Sequence, residues 1–244
     1  DDVMGVDSEY DGSIGTSILK VFDWTVATVG LNERSAQHLG LSYDKVYLLA
    51  PDHAVYYPGA TYMWLKVLFE TEKGRILGAQ IVGPAGVDKR IDVLAVAIRA
   101  GLTARDLGAL DLAYAPPYGS AKEPVNVVGL MIDNLLKGLV KQFHFNQVED
   151  LPKTGAATLL DVRDPDEFEK GHIPGFTSVP LKTLRSQISA LDPAKPVYVN
   201  CEGGLRSYIA ARILSQNGFS ASYLSGGYRL YARLQNDLSA TKAL

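Results

Sequence analysis

The chain has 244 residues, 47% of them apolar and 21% charged, with 24 Lys and Arg against 27 Asp and Glu for a net charge of −3. At ~100 to 200 residues per domain, that length suggests two domains, each able to bury its own core. The slightly acidic balance, without basic blocks, excludes the electrostatic footprint of nucleic-acid binding and offers little to an anionic membrane surface, which leaves small molecules and proteins as partners.

The first residues, Asp1 to Asp7, are acidic, do not begin with methionine and lack the basic, then apolar, design of a signal peptide, so the chain reads as a piece of something longer. Ser17 to Val29 mixes β-branched and aromatic residues, predicting two short strands or one bent one. Glu33 to Leu39 reads as a short helix closed by Gly40, and Tyr43 to Leu49 as a strand. Tyr62 to Glu70 and Arg75 to Val82 form a predicted hairpin turning near Gly74. In the first of these strands Met63, Leu65, Val67 and Phe69 alternate with Trp64, Lys66, Leu68 and Glu70, so both faces carry bulky apolar groups. One face serves the core; the other needs a cover, from a further domain or a second copy of the chain. Asp88 to Ala100 is helical by spacing and stops at Gly101, and Thr103 caps another short helix. A Pro-containing loop, Tyr114 to Pro124, leads into a helix from Val125 to Leu139. This half is α+β, an antiparallel sheet with helices.

Beyond Lys141 to Asn146 the texture changes, placing the domains at 1–141 and 142–244. Strands at Thr158 to Val162, Val197 to Asn200 and Ala221 to Leu224 alternate with helices at Pro165 to Lys170, Leu181 to Leu191, Arg206 to Asn217 and Tyr228 to Leu238. Such alternation predicts an α/β domain with a parallel sheet. The longest apolar stretches, residues 91–100 and 125–140, are interrupted by Arg99 and by Asp133, Asn134 and Lys137, so neither spans a bilayer.

Cys201 is the only cysteine, which excludes an intrachain disulfide or a cysteine-rich metal site and fits a reducing, cytoplasmic compartment. His53 and His144 have no partners at metal-ligand spacing, so no metal is expected. Taken alone, a cysteine at a strand end is more often a buried small apolar residue than a nucleophile. This one opens the loop Cys201, Glu202, Gly203, Gly204, Leu205, Arg206, Ser207, at the carboxyl edge of a parallel strand and before a helix. The glycines let backbone N–H groups converge, and the helix N-terminus adds its field, so a nucleophilic thiolate is favoured there. Arg206 brings a positive charge to the rim. Glu202 would oppose thiolate formation if turned inward, and is expected to point outward.

Forty residues upstream stands the run from Asp161 to Gly175, with Asp161, Arg163, Glu167 and His172-Ile173-Pro174-Gly175. Together with the Cys-x-x-Gly-x-Arg-Ser loop, it resembles the rhodanese family over residues 145 to 240. The resemblance implies that Cys201 accepts sulfane sulfur as a persulfide and passes it to a thiol or another nucleophile. Related phosphatases on this fold have a longer spacer than the four residues Glu202 to Leu205, so a phosphatase or arsenate reductase is disfavoured. A non-catalytic binding or regulatory module is the other alternative, against which stand Cys201 and Arg206. Asp161, Arg163, Glu167 and His172 are expected to be structural.

In the first half, Tyr10-Asp11-Gly12-Ser13-Ile14-Gly15, Gly74-Arg75-Ile76-Leu77-Gly78 and Tyr114-Ala115-Pro116-Pro117-Tyr118 resemble the dimerisation domain of the flavin-dependent pyridine nucleotide-disulfide oxidoreductases. Within them, the match is to the coenzyme A-disulfide reductase branch with a fused rhodanese domain. The resemblance implies a homodimer formed mainly before Lys141, with FAD, NAD(P)H and coenzyme A as cofactors of the intact parent, and sulfur donors and thiols as small-molecule partners. No Gly-x-Gly-x-x-Gly follows any strand, so the FAD and NAD domains are missing from this chain, and it is expected to bind neither cofactor tightly. By the same resemblance Tyr114 and Tyr118 reach across the dimer towards coenzyme A, with Tyr57 and its neighbour Tyr56 as further candidates.

Overall fold

The computed structural model describes residues 10, 12–152 and 155–242; Asp1 to Asp7 and Asp11 lie outside them. The first half is one antiparallel sheet of β1 (Ser17–Val21), β2 (Trp24–Gly30), β3 (Tyr43–Pro51), β4 (Tyr62–Glu70) and β5 (Ile76–Gly83), in the order β1-β2-β5-β4-β3. Its helices are α1 (Glu33–His38), α2 (Val87–Arg99), α3 (Ala104–Ala109) and α4 (Pro124–Leu136). Asn32 caps α1, and Thr103 with Asp106 forms a capping box on α3. The β4–β5 hairpin turns through Gly74, whose φ of +69° is the left-handed conformation that glycine adopts without strain.

Met63, Leu65, Val67 and Phe69 all enter the core with Ile91 and Leu94 of α2 and Val128 and Ile132 of α4. The opposite face of β4 is covered in part within the chain, which corrects the expectation that its cover comes from elsewhere. Leu68 is buried with Ala36 and Leu77 beneath α1, and Lys66 and Lys45 both pair with Glu33 at the start of that helix.

The second half is a parallel sheet of β6 (Lys141–Phe143), β7 (Thr158–Asp161), β8 (Thr177–Ser178), β9 (Val197–Asn200) and β10 (Ala221–Leu224), in the order β6-β10-β9-β7-β8. Around it lie α5 (Pro165–Glu169), α6 (Leu181–Gln187), α7 (Leu205–Gln216) and α8 (Gly227–Lys242). β6 and β8 are absent from the sequence reading because two or three residues are too short to display a period. Lys141, assigned by sequence to the first half, pairs with Ser222 in the second sheet.

An edge strand presents unpaired backbone groups, and here the second half covers the free edge of β3. The Tyr47 amide donates to Ser225 Oγ (3.2 Å), and Gln142 Nε2 donates to the Lys45 carbonyl (2.8 Å) and to Asp44 (2.9 Å). His144 Nε2 lies 2.8 Å from the same Asp44 carboxylate. On the helical side Asn134 of α4 donates to the Tyr208 hydroxyl of α7 (2.9 Å). The loop after β9 therefore lies against the first half: a Cβ at Gly203 would stand 3.5 Å from Leu49 Cδ2.

Candidate functional site

β9 ends at Asn200, and Cys201 begins the turn into α7 with 1% of its surface exposed. Gly204, with φ +107°, is the helix N-cap, and its amide donates to Cys201 Sγ (3.2 Å). The thiol donates to Ser207 Oγ (3.3 Å), and the Ser207 hydroxyl donates to the Gly204 carbonyl (2.9 Å). Sγ thus has one backbone donor and one rotatable hydroxyl, the partners a sulfur anion needs. Gly203 packs beside Leu49, whereas Leu205 is 72% exposed and faces away.

The charges of the loop are paired. Arg206 makes a two-pronged bond to Glu167, and Arg163 Nη1 reaches Glu202 (3.3 Å). Glu202 is therefore half-exposed and tied to a cation, not free in solvent. Glu167, expected only as a structural residue, also caps α5 through the Asp164 amide. Arg206 holds its carboxyl down at about 2. Asp161 and Arg163 are fully buried partners at the end of β7, joined through Nε (3.0 Å) and Nη2 (2.8 Å), and Arg163 also donates to the Gly171 carbonyl. His172 stacks on Phe168 with ring centroids 3.9 Å apart. A cleft of about 240 Å³ opens between Arg163, Glu167, Lys170, Gly171, Glu202 and Tyr228.

Tyr228 and the Gly226-Gly227 turn before it were missed from sequence. The Tyr228 and Arg229 amides, at the start of α8, donate to the Cys201 and Glu202 carbonyls (2.7 and 3.1 Å). A Cβ at Gly227 would stand 2.6 Å from both carbonyl oxygens. The Tyr228 ring carries the Arg163 guanidinium at 4.1 Å. The available signal was a second glycine pair between a strand and a helix, the same local design as the cysteine loop.

The tyrosines form a second cluster. The Tyr114 hydroxyl meets that of Tyr56 at 3.0 Å, both rings exposed, and this contact raises the Tyr114 pKa. Tyr57 lies edge-on to His53, and Tyr118 is 72% exposed in the middle of its loop, so neither joins that pair. Tyr56, Tyr57, Pro58 and Tyr62 line a shallow recess of about 360 Å³. Among the described residues no group of three His, Cys, Asp or Glu is arranged to hold a metal, and no helix is long and apolar enough to cross a membrane.

Residues 16–124 match the dimerisation domain of pyridine nucleotide-disulphide oxidoreductases, and residues 144–234 the rhodanese-like domain. A coenzyme A disulfide reductase of Staphylococcus haemolyticus is 44% identical over 120 residues, 49% of this chain and 27% of that protein. The crystal structure of reduced Bacillus anthracis CoADR-RHD is 42% identical with a TM-score of 0.92, covering 97% of this chain and 42% of its own. A NAD-dependent persulfide reductase from A. fulgidus is 39% identical with a TM-score of 0.82, covering 93% of this chain and 40% of its own. The chain spans less than half the length of each. Its residues 16–124 belong to the pyridine nucleotide-disulphide oxidoreductase dimerisation domains and its residues 144–234 to the rhodanese-like domains.

Proposed function

We propose that the second domain carries sulfane sulfur on Cys201 and serves a flavin- and NAD(P)H-dependent reductase of coenzyme A disulfide or persulfide. The observation behind the first part is the Cys201 sulfur held between the Gly204 amide and the Ser207 hydroxyl. With thiosulfate as donor, the Cys201 thiolate attacks the outer sulfur, the S–S bond of the donor breaks, and sulfite leaves with the electron pair. A thiolate acceptor then attacks the terminal sulfur of the persulfide, releasing Cys201 as thiolate and forming the acceptor persulfide. Neither step needs an outside oxidant or reductant. When the thiol loses its proton, the Ser207 hydroxyl turns from the Gly204 carbonyl to the sulfur and replaces the lost partner.

Coenzyme A is assigned to the exposed Tyr56 and Tyr114 hydroxyls, donors suited to a sulfur anion held by a partner subunit. FAD and NAD(P)H do not fit this chain's own residues, since no Gly-x-Gly-x-x-Gly turn joins any of its strands to a helix. Those cofactors belong to the reductase part of the intact protein. We read the chain as a homodimer, which the match to a dimerisation domain supports, and as working in a reducing, cytoplasmic compartment, which its lone cysteine supports.

The test is intact-mass spectrometry after incubation with thiosulfate. Cys201 gains one sulfur atom, cyanide or a thiol removes it, and Cys201→Ser gains none. A wild-type chain that takes up no sulfur but hydrolyses an aryl phosphate overturns the reading. In sedimentation equilibrium at tens of micromolar, the chain runs as a dimer.

A further inference from the structure

The Tyr56 and Tyr114 hydroxyls meet although they sit on separate loops, 52–61 and 113–123, each exposed at its tip. Beneath both loops lies the ion pair of Arg90 on α2 with Glu123 at the start of α4, 2% and 3% exposed. Arg90 Nη2 donates to the Asp52 carbonyl (2.6 Å), at the base of the first loop, and to Glu123 Oε1 (2.6 Å); Nε donates to Glu123 Oε2 (3.1 Å). The neighbouring Lys89 pairs with the same carboxylate (3.0 Å) and donates to the carbonyls of Ala113 (3.5 Å) and Tyr118 (3.3 Å), which bracket Tyr114. A backbone bond also joins the loops, from the Ala54 amide to the Pro116 carbonyl (3.3 Å). The start of α2 is shaped around this arrangement. Gly86 is left-handed at φ +73°, and a Cβ there would stand 2.5 Å from Arg90 Nη1.

Deep ion pairs add little net stability, because desolvating two charges offsets most of their attraction. Glu123 is also the N-cap of α4, yet its side chain bonds none of the helix amides, so it does not serve as an ordinary cap. What the pair does achieve is convergence: a planar guanidinium fixes one loop by its carbonyl and, through Glu123, shares a carboxylate with the lysine that fixes the other.

We propose that Arg90 and Glu123 are positioning residues that register the two loops so that the Tyr56 and Tyr114 hydroxyls meet at a single point. Their catalytic relevance rests on the coenzyme A reading of these tyrosines; the registration itself does not. Arg90→Met with Glu123→Leu removes the pair without stranding a buried charge, and Arg90→Lys keeps the charge but loses the planar fork. Tyrosine-ring NMR titration of the full chain, with Tyr114→Phe for assignment, reads the contact. In the wild type Tyr114 titrates above the ordinary phenol range. In the double variant it returns to that range, while Tyr223, buried in the second domain, stays raised. Sulfur uptake by Cys201, whose sulfur is held by partners within the second domain, changes by less than about twofold. A folded double variant in which Tyr114 titrates as in the wild type overturns the inference. Should the double variant fail to fold, an unchanged Tyr114 in Arg90→Lys does the same. In the flavin-loaded reductase that contains this chain, the double variant raises KM for coenzyme A disulfide roughly tenfold, equivalent to ~1.4 kcal/mol. If Tyr114 shifts and KM does not, the registration stands and the coenzyme A role of the tyrosines falls.

Discussion

Arg206 donates from both terminal guanidinium nitrogens to Glu167, each bond 2.6 Å long. This fork joins the first turn of α7, which follows Cys201, to α5, so the rim charge anticipated for an anionic sulfur donor is already compensated. The bond to Glu167 is also the main reason that Arg206 holds its proton more firmly, with attraction to Cys201 a lesser contribution.

Glu167 should titrate near 2 in the folded chain, against an ordinary value of 4.5, chiefly because it accepts from Arg206. A lowered folded pKa means the pair contributes fully above 4.5 and is lost as pH falls through about 2. Carboxyl carbon NMR should show Arg206→Met returning Glu167 to the ordinary carboxylate range.

Ser207 has none of its surface exposed and is placed to follow the charge on Cys201. Ser207→Ala should slow sulfur uptake roughly tenfold, equivalent to about 1.4 kcal/mol, while leaving the mass of the persulfide product unchanged. Rapid-quench mass spectrometry measures the rate. A variant as fast as the wild type would remove Ser207 from the mechanism.

Asp161 and Arg163 make a buried pair of the kind whose single truncation strands a charge. Asp161→Ala should cost about 3–5 kcal/mol in urea unfolding. Combining it with Arg163→Met should restore much of that loss, since no unpaired charge remains. Equal losses in the single and double variants would refute this account.

His53 faces two acceptors, Asp52 Oδ2 through Nδ1 (2.8 Å) and the Pro58 carbonyl through Nε2 (3.3 Å). Only the imidazolium donates at both, and the bond to Asp52 is the largest influence raising its pKa above 6.5. A raised folded pKa gives a contribution that is complete below 6.5 and lost as pH rises through the folded value. Imidazole nitrogen NMR should show that elevation, and Asp52→Asn should abolish it. If the His53 titration is the same in Asp52→Asn, the pairing is not its cause.

The sequence by itself determined the features written within a few residues of one another. The alternation from Met63 to Phe69 became the core of the first sheet, and the strand, cysteine, glycine pair and helix start at Val197 to Ser207 became a loop that directs an amide at Sγ. Period and turn chemistry act over one strand or one turn, which is the range a single sequence displays. Tertiary structure decided what depends on distant partners. Glu167 meets Arg206 across 39 residues, Arg90 meets Glu123 across 33, and Tyr114 meets Tyr56, not the adjacent Tyr57, across 58. The cover on the edge of β3 likewise came from Gln142 and Ser225, far along the chain. A side chain's charge or hydroxyl says that it needs a partner, but its identity is fixed only when the packing of sheets and helices brings two loops within hydrogen-bond reach.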